Sequence, residues 1–164
     1  MPIRLANLND LPAIVHIYNA AIPGRQATAD TDPVSVESRL EWFRQHDPAN
    51  RPLWVLESGK AILGWVSLSS FYGRPAYQAT AEVSLYLAPQ AQGQGLGCQL
   101  LRHAISAAPA LGISTLLGFI FGHNQPSLKL FQRHGFTAWG QLPRVARLDQ
   151  RECDLSILGL RLAP

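Results

Sequence analysis

The stretch Leu85-Tyr86-Leu87-Ala88-Pro89-Gln90-Ala91-Gln92-Gly93-Gln94-Gly95-Leu96-Gly97-Cys98 decides the fold. It reads as a strand running into a glycine-rich turn that opens an amphipathic helix. Upstream, residues 80–87 alternate strictly, with Ala81, Val83, Leu85 and Leu87 on one face and Thr80, Glu82, Ser84 and Tyr86 on the other. Pro89 ends that strand. Downstream, Leu96, Leu100, Leu101, Ala104, Ile105 and Ala108 mark a helix that stops near Leu111-Gly112. The first amides of a helix have no internal partner, and the helix dipole places partial positive charge there. Glycines at 93, 95 and 97 remove the side chains that would hold a ligand away from those amides. The segment therefore predicts a phosphate or pyrophosphate site made of backbone. A P-loop reading fails because no Lys follows Gly97, and a dinucleotide fingerprint fails because Cys98 stands where its third glycine belongs. On the glycines alone, a plain strand-to-helix turn with no ligand stays open.

Working outward, residues 2–6 read as a first strand. Asn9 is placed to cap a helix over 10–21, with Leu11, Ile14, Val15 and Tyr18 on its buried stripe. Asp32-Pro33 gives a second helix start, with Val36, Leu40 and Phe43 as the stripe. Residues 23–32 are a loop. Strands over 52–57 and 61–69 flank Ser58-Gly59-Lys60, a hairpin signal. Residues 71–78, with Gly73 and Pro75, form a surface loop. Residues 114–121 are nearly all apolar, as in a strand buried on both faces. A short helix over 127–134 ends at Gly135, and strands over 136–142 and 153–160 close the chain. The pattern is that of an α/β (mixed α+β) domain, a mixed sheet with helices on both faces.

The composition agrees. At 164 residues, 47% hydrophobic and 15% charged, the chain can bury a core as one domain spanning 1–164, without disulfides. Cys98 and Cys153 are too few for a secreted disulfide framework and read as reduced thiols. The opening MPIRLANLND carries Asn7 and Asp10 where a signal peptide needs an apolar core, and no apolar run reaches the length of a membrane span. A cytoplasmic protein with no membrane partner is expected. The net charge of +3 comes from scattered basic residues, so no nucleic-acid partner is expected either. The five histidines show no metal-ligand spacing, and no metal is expected. Trp42, Trp54 and Trp65 read as packing residues.

Gln92-x-x-Gly95-x-Gly97, followed by a helix, a strand and then Asn124-x-x-Ser127 through His134-Gly135-Phe136, resembles the GCN5-related N-acetyltransferases. Ile17-Tyr18-Asn19-Ala20, Glu41-Trp42-Phe43, Thr80-Ala81-Glu82 and Gly140-Gln141-Leu142-Pro143 resemble the phosphinothricin and methionine sulfone N-acetyltransferase group within it. The resemblance extends over almost the whole chain. It implies a twisted sheet splayed between the strands at 80–87 and 114–121, with acetyl-CoA as co-substrate and its pantetheine arm lying in the splay. The backbone of Leu85, Tyr86 and Leu87 would pair with that arm. Gln92, Gly93, Gln94, Gly95, Leu96, Gly97 and Cys98 would hold the pyrophosphate, and Asn124 and Ser127 would meet the cofactor near its sulfur end.

The resemblance further implies an acetyl group moved directly to the amine of a small molecule, an amino acid or analogue, in a ternary complex. An alkyl ammonium must lose a proton before it can attack, and Glu82 is the candidate base. The alternative for Glu82 is a solvated strand carboxylate paired with a surface Arg. A backbone N–H near Leu85 would meet charge developing on the carbonyl oxygen. Relatives often protonate the departing thiolate from a Tyr or His where this chain has Phe131; water, Tyr86 and His134 are the substitutes, and no general acid is assigned. Arg74 and Tyr77, in the loop before Glu82, are candidates to hold the substrate, Arg74 through a carboxylate. Two stretches depart from the group: Gln26-Ala27-Thr28-Ala29-Asp30 lacks an aromatic, and Leu148-x-Gln150-x-Glu152-x-Asp154 keeps only its last residue. Relatives often form homodimers, which is expected here too. A non-catalytic acyl-CoA-binding or regulatory module and a peptide N-terminal acetyltransferase remain alternatives.

Overall fold

The computed structural model describes residues 2–162. One seven-stranded sheet runs in the order β1-β2-β3-β4-β5-β7-β6, with β1 at Ile3–Leu5, β2 at Leu53–Ser58, β3 at Ala61–Ser70, β4 at Thr80–Leu87, β5 at Thr115–Phe121, β6 at Thr137–Leu148 and β7 at Arg151–Arg161. Every neighbouring pair is antiparallel except β4 and β5, which are parallel. Helices α1 (Leu11–Ala21) and α2 (Leu40–Arg44) cover one face: the Trp65 indole on β3 donates to the Ile14 carbonyl at 3.2 Å, and its ring meets Trp42 of α2 at 5.5 Å. Helices α3 (Leu96–Ala107) and α4 (Gln125–Arg133) cover the other. There a Cβ on Gly97 would lie 3.3 Å from Leu130 and 3.7 Å from Leu87, and one on Gly64 would lie 3.1 Å from Leu100. Between these layers Val55, Leu56, Val66, Leu68, Leu100, Leu101 and Leu116 are fully buried. Cutting any of the leucines to Ala would cost about 2–5 kcal/mol. Cys98 and Cys153 are both free thiols.

The periodic segments fall where their patterns place them, β4 and the start of α3 included. Four expectations are corrected. The first cap is Asn7, not Asn9: Asn7 Oδ1 accepts from the Asn9 amide at 3.0 Å, and Asp10 Oδ2 accepts from the Asn7 amide at 2.8 Å, closing a 3-10 turn over Leu8–Asp10 ahead of α1. Arg4, bonded to Asp10 at 2.8 Å, holds that buried carboxyl below the usual carboxylate range.

Asp32-Pro33 starts no helix. The Asn19 side chain brackets the backbone of Val34 with two bonds of 2.9 Å, imitating a strand partner and keeping the chain extended there. Helical structure begins at Glu37, after the Ser35 hydroxyl has accepted from the Ser38 amide at 3.1 Å. The helix expected over 127–134 begins two residues earlier, because Asn124 caps it by accepting from the Ser127 amide at 3.3 Å.

The last two strands are longer than expected, β6 by most, and pair with one another as a hairpin. β6 is exposed along most of its length, so it carries no alternation to read, and Pro143 sits in an irregularity between Leu142 and Ala146 where no ladder bond is required.

Candidate active site

β4 and β5 pair at three positions only, Thr80 with Thr115, Ala81 with Leu116 and Glu82 with Leu117. Beyond Glu82 each strand keeps its outer neighbour, β4 with β3 to Leu87 and β5 with β7 to Phe121, but the two diverge from one another. A cavity of about 460 Å³ opens in the wedge, lined by Glu82, Leu85, Tyr86, Phe119, Asn124, Ser127 and Phe131 among others. The direction of the β4 backbone follows from one bond. The Ala88 amide donates to Leu63 of the β3 side at 2.8 Å, so even-numbered residues of this stretch bond to β3. Odd-numbered Val83, Leu85 and Leu87 therefore turn their N–H and C=O groups toward the wedge, where β5 no longer meets them.

The glycine turn lies at the same end of β4. Gly93 and Gly95 have φ of +75° and +78°, and a Cβ on either would meet nothing within 4 Å. The Gln94 side chain folds back to the Gln90 carbonyl at 3.0 Å and shapes the turn. Among the described residues, the amides of residues 93–98 donate to no protein acceptor. The turn thus presents a row of unspent donors with open space in front of it, which fits a diphosphate. Gly97 differs from its expectation. Its missing side chain admits close packing against Leu130 and Leu87 and clears no space on the ligand side.

A second cavity, of about 210 Å³, lies on the α1 and α2 face, and Tyr18, Arg39, Trp42, Trp65, Glu82, Ser84 and Tyr86 are among its walls. Glu82, Ser84 and Tyr86 line both cavities and so form the partition between them. Among the described residues the Glu82 carboxylate has no ion pair or hydrogen bond, so the surface-paired alternative does not hold. Burial raises its pKa above the ordinary carboxylate range. Burial likewise raises the Tyr86 phenol, whose hydroxyl donates to the Ala27 carbonyl at 2.9 Å.

Loop 23–32 borders the wedge cavity through residues 26–29 and forms a strap there. Three successive carbonyls hold it: Arg25 contacts His123 Nε2 at 2.7 Å, Gln26 accepts from Asn124 Nδ2 at 3.1 Å, and Ala27 accepts from Tyr86. The buried Thr28 side chain adds a bond to the Tyr18 hydroxyl. Asn124 thus caps α4 with one side-chain atom and holds the strap with the other, and it still borders the wedge.

Not every expected residue reaches the site. Arg74 and Tyr77 are exposed and line neither cavity. His134 ends α4 with Nδ1 on the Leu130 carbonyl, also outside both, which leaves Tyr86 as the one protein hydroxyl of the proposed proton donors at the site. Phe131 is buried over Gly118, where a Cβ would lie 2.6 Å from its ring. Trp54 packs against His103 as expected, whereas Trp42 and Trp65 are cavity walls as well as packing residues. Tyr18, Arg39, Asp30 and the strap carbonyls were missed. Helical spacing of Arg39 with Trp42 and Phe43 would have placed the guanidinium on the inner face of α2.

Residues 11–136 match the family model described as the Acetyltransferase (GNAT) family. The chain belongs to the GNAT family of acetyltransferases. It is 51% identical over 164 residues to YwnH of Bacillus subtilis, a protein provisionally named phosphinothricin acetyltransferase, covering 99% of this chain and 100% of that one. It is 33% identical over 163 residues to the L-methionine sulfoximine/L-methionine sulfone acetyltransferase of Pseudomonas paraeruginosa, covering 99% and 95%. The structure of a GNAT superfamily phosphinothricin acetyltransferase from Sinorhizobium meliloti in complex with acetyl-CoA superposes with a TM-score of 0.93 at 28% identity, covering 99% of this chain and 88% of that one. The protein is an acetyl-CoA-dependent GNAT N-acetyltransferase, and the wedge between β4 and β5 is the splay that the resemblance implies. No helix among the described residues is long and apolar enough to cross a membrane.

Proposed function

We propose that this GNAT enzyme acetylates the amine of a small α-amino acid or amino-acid analogue, with Glu82 as the base. The observation that carries the reading is the position of Glu82: an unpaired, half-buried carboxylate on the partition between a wedge of strand edges and a small polar-lined chamber. Acetyl-CoA supplies an acetyl group activated as a thioester. The amides of residues 93–98 hold its diphosphate, the edges of Leu85 and Leu87 pair with its amide-bearing arm, and Asn124 and Ser127 border the sulfur end of the wedge. The smaller cavity takes the acceptor. There Glu82 removes the ammonium proton, directly or through a water, and its raised pKa makes it a stronger base than an exposed Glu. A backbone N–H at Leu85 faces the wedge and is fixed before reaction, so it can meet charge that develops on the carbonyl oxygen without reorganising.

The roughly 210 Å³ size of this chamber favours a small acceptor over a peptide terminus. The relatives named for methionine sulfoximine, methionine sulfone and phosphinothricin point the same way. The enzyme acts in the cytoplasm as a homodimer, with Leu142 (42% exposed) and Val145 (56% exposed) on β6 as the apolar surface for a second copy. The decisive assay follows CoA thiol release with free α-amino acids, methionine sulfone, polyamines and short peptides as acceptors. Turnover led by amino acids is expected; turnover only with peptides or polyamines would refute the acceptor assignment.

A further inference from the structure

We propose that Arg39 is the carboxylate anchor of the acceptor chamber, so that the enzyme selects amines carrying an α-carboxylate; the assignment rests on the smaller cavity being the acceptor site. Arg39 enters that cavity from the turn preceding α2, with its side chain 25% exposed. Its guanidinium is fixed from three directions. Nη2 donates to Asp30 Oδ2 at 3.0 Å, and the guanidinium carbon lies 4.8 Å from the Tyr18 ring centroid and 5.7 Å from that of Trp42. Asp30 is itself held: its carboxylate accepts from the Tyr18 hydroxyl, and its amide donates to Thr28 Oγ1 at 3.1 Å.

Among the described residues, Arg39 Nε and Nη1 have no protein partner. A planar fork held against two aromatic faces, with N–H groups to spare on a cavity wall, suits a two-point grip on a carboxylate. Arg39 is the one cation and Glu82 the one anion among the residues lining this cavity. An α-amino acid zwitterion matches that pair, its carboxylate on Arg39 and its ammonium on Glu82. An amine without the carboxylate leaves Nε and Nη1 of the guanidinium without an acceptor. Arg74 is exposed and lines neither cavity, so it cannot substitute from where it stands.

The test compares methionine sulfone with its carboxamide in steady-state kinetics, with acetyl-CoA affinity measured by calorimetry in parallel. The wild-type enzyme is expected to favour the acid by on the order of 100-fold in kcat/KM. In Arg39→Gln that preference should fall to within about threefold through loss of the acid alone, with acetyl-CoA affinity unchanged. Arg39→Lys, which keeps the charge but not the fork, should lose about tenfold of the preference. A full preference surviving in Arg39→Gln overturns the anchor and leaves the amino-acid reading standing. Equal turnover of acid and amide by the wild-type enzyme overturns the amino-acid reading itself. If Arg39→Gln fails to bind acetyl-CoA and so has not folded, Arg39→Lys decides, and an undiminished preference there overturns the anchor.

Discussion

The two ends of the reaction centre are built from different materials. The donor end, residues 93–98 with the edges of Leu85 and Leu87, is main chain: free amides, two glycines with positive φ, and a strand that has lost its neighbour. The acceptor end is side chain. Tyr18 from α1, Val34 from the loop after the strap, Arg39 and Trp42 from the second helical segment, Trp65 from β3 and Glu82 from β4 converge on about 210 Å³. Apart from Asn124 and Ser127 at its sulfur end, the donor end occupies one continuous stretch of sequence, whereas the acceptor end exists only once five segments have packed. Substitutions should therefore separate the two functions, each harming one substrate and sparing the other.

The sharpest separation belongs to the partition itself. Glu82→Gln is expected to lower kcat by about 100-fold or more while acetyl-CoA affinity by calorimetry stays within twofold. Because burial favours the protonated form of Glu82, the acid limb of kcat/KM should lie above the usual glutamate range: activity falls as pH drops through the raised value. That limb should vanish in the variant. A variant that keeps the limb would show that another group titrates.

On the donor side, Gly95→Val forces a β-branched residue into φ +78°. Acetyl-CoA affinity should fall about tenfold, at a conformational cost of about 1–2 kcal/mol, with the acceptor KM unchanged. An equal loss in both substrates would mean that the ends are not separable. On the acceptor side, Tyr86→Phe removes the bond to the Ala27 carbonyl and loosens the strap. The acceptor KM should rise about fivefold, the worth of one net hydrogen bond, with little change in acetyl-CoA binding. The smallest effect is on stability: Asn124→Ala removes the α4 cap and one strap bond, costing about 1 kcal/mol, a fall in Tm of about 3 °C by calorimetry.

The same contrast explains what could be read from the residues. β4 alternates because one of its faces meets α3 and the other borders the acceptor chamber, and α3 repeats at helical spacing because Leu100, Leu101 and Ala104 are buried. Both patterns arise from burial and are local. Glu82 was legible only through the family resemblance, since its place on the polar face of β4 equally suits a solvated carboxylate. Arg39 was not, because its role depends on Asp30 nine residues earlier and on two rings from different helices. Arg74 drew attention as a lone cation near Glu82 in sequence, but its loop carries it outward. The late start of α2 was hidden for a similar reason: the Asn19 side chain overrides the Asp32-Pro33 signal from across the fold. The exposed strand β6 left no apolar periodicity to read.

The row of unspent amides at residues 93–98 has a bearing on descent. A clasp made of peptide groups is nearly blind to which side chains surround it, provided Gly93 and Gly95 persist. Mutation can then reshape the chamber around Tyr18, Arg39 and Trp42 toward new amines while the thioester supply stays intact, so specificity in such an enzyme can drift far faster than its chemistry.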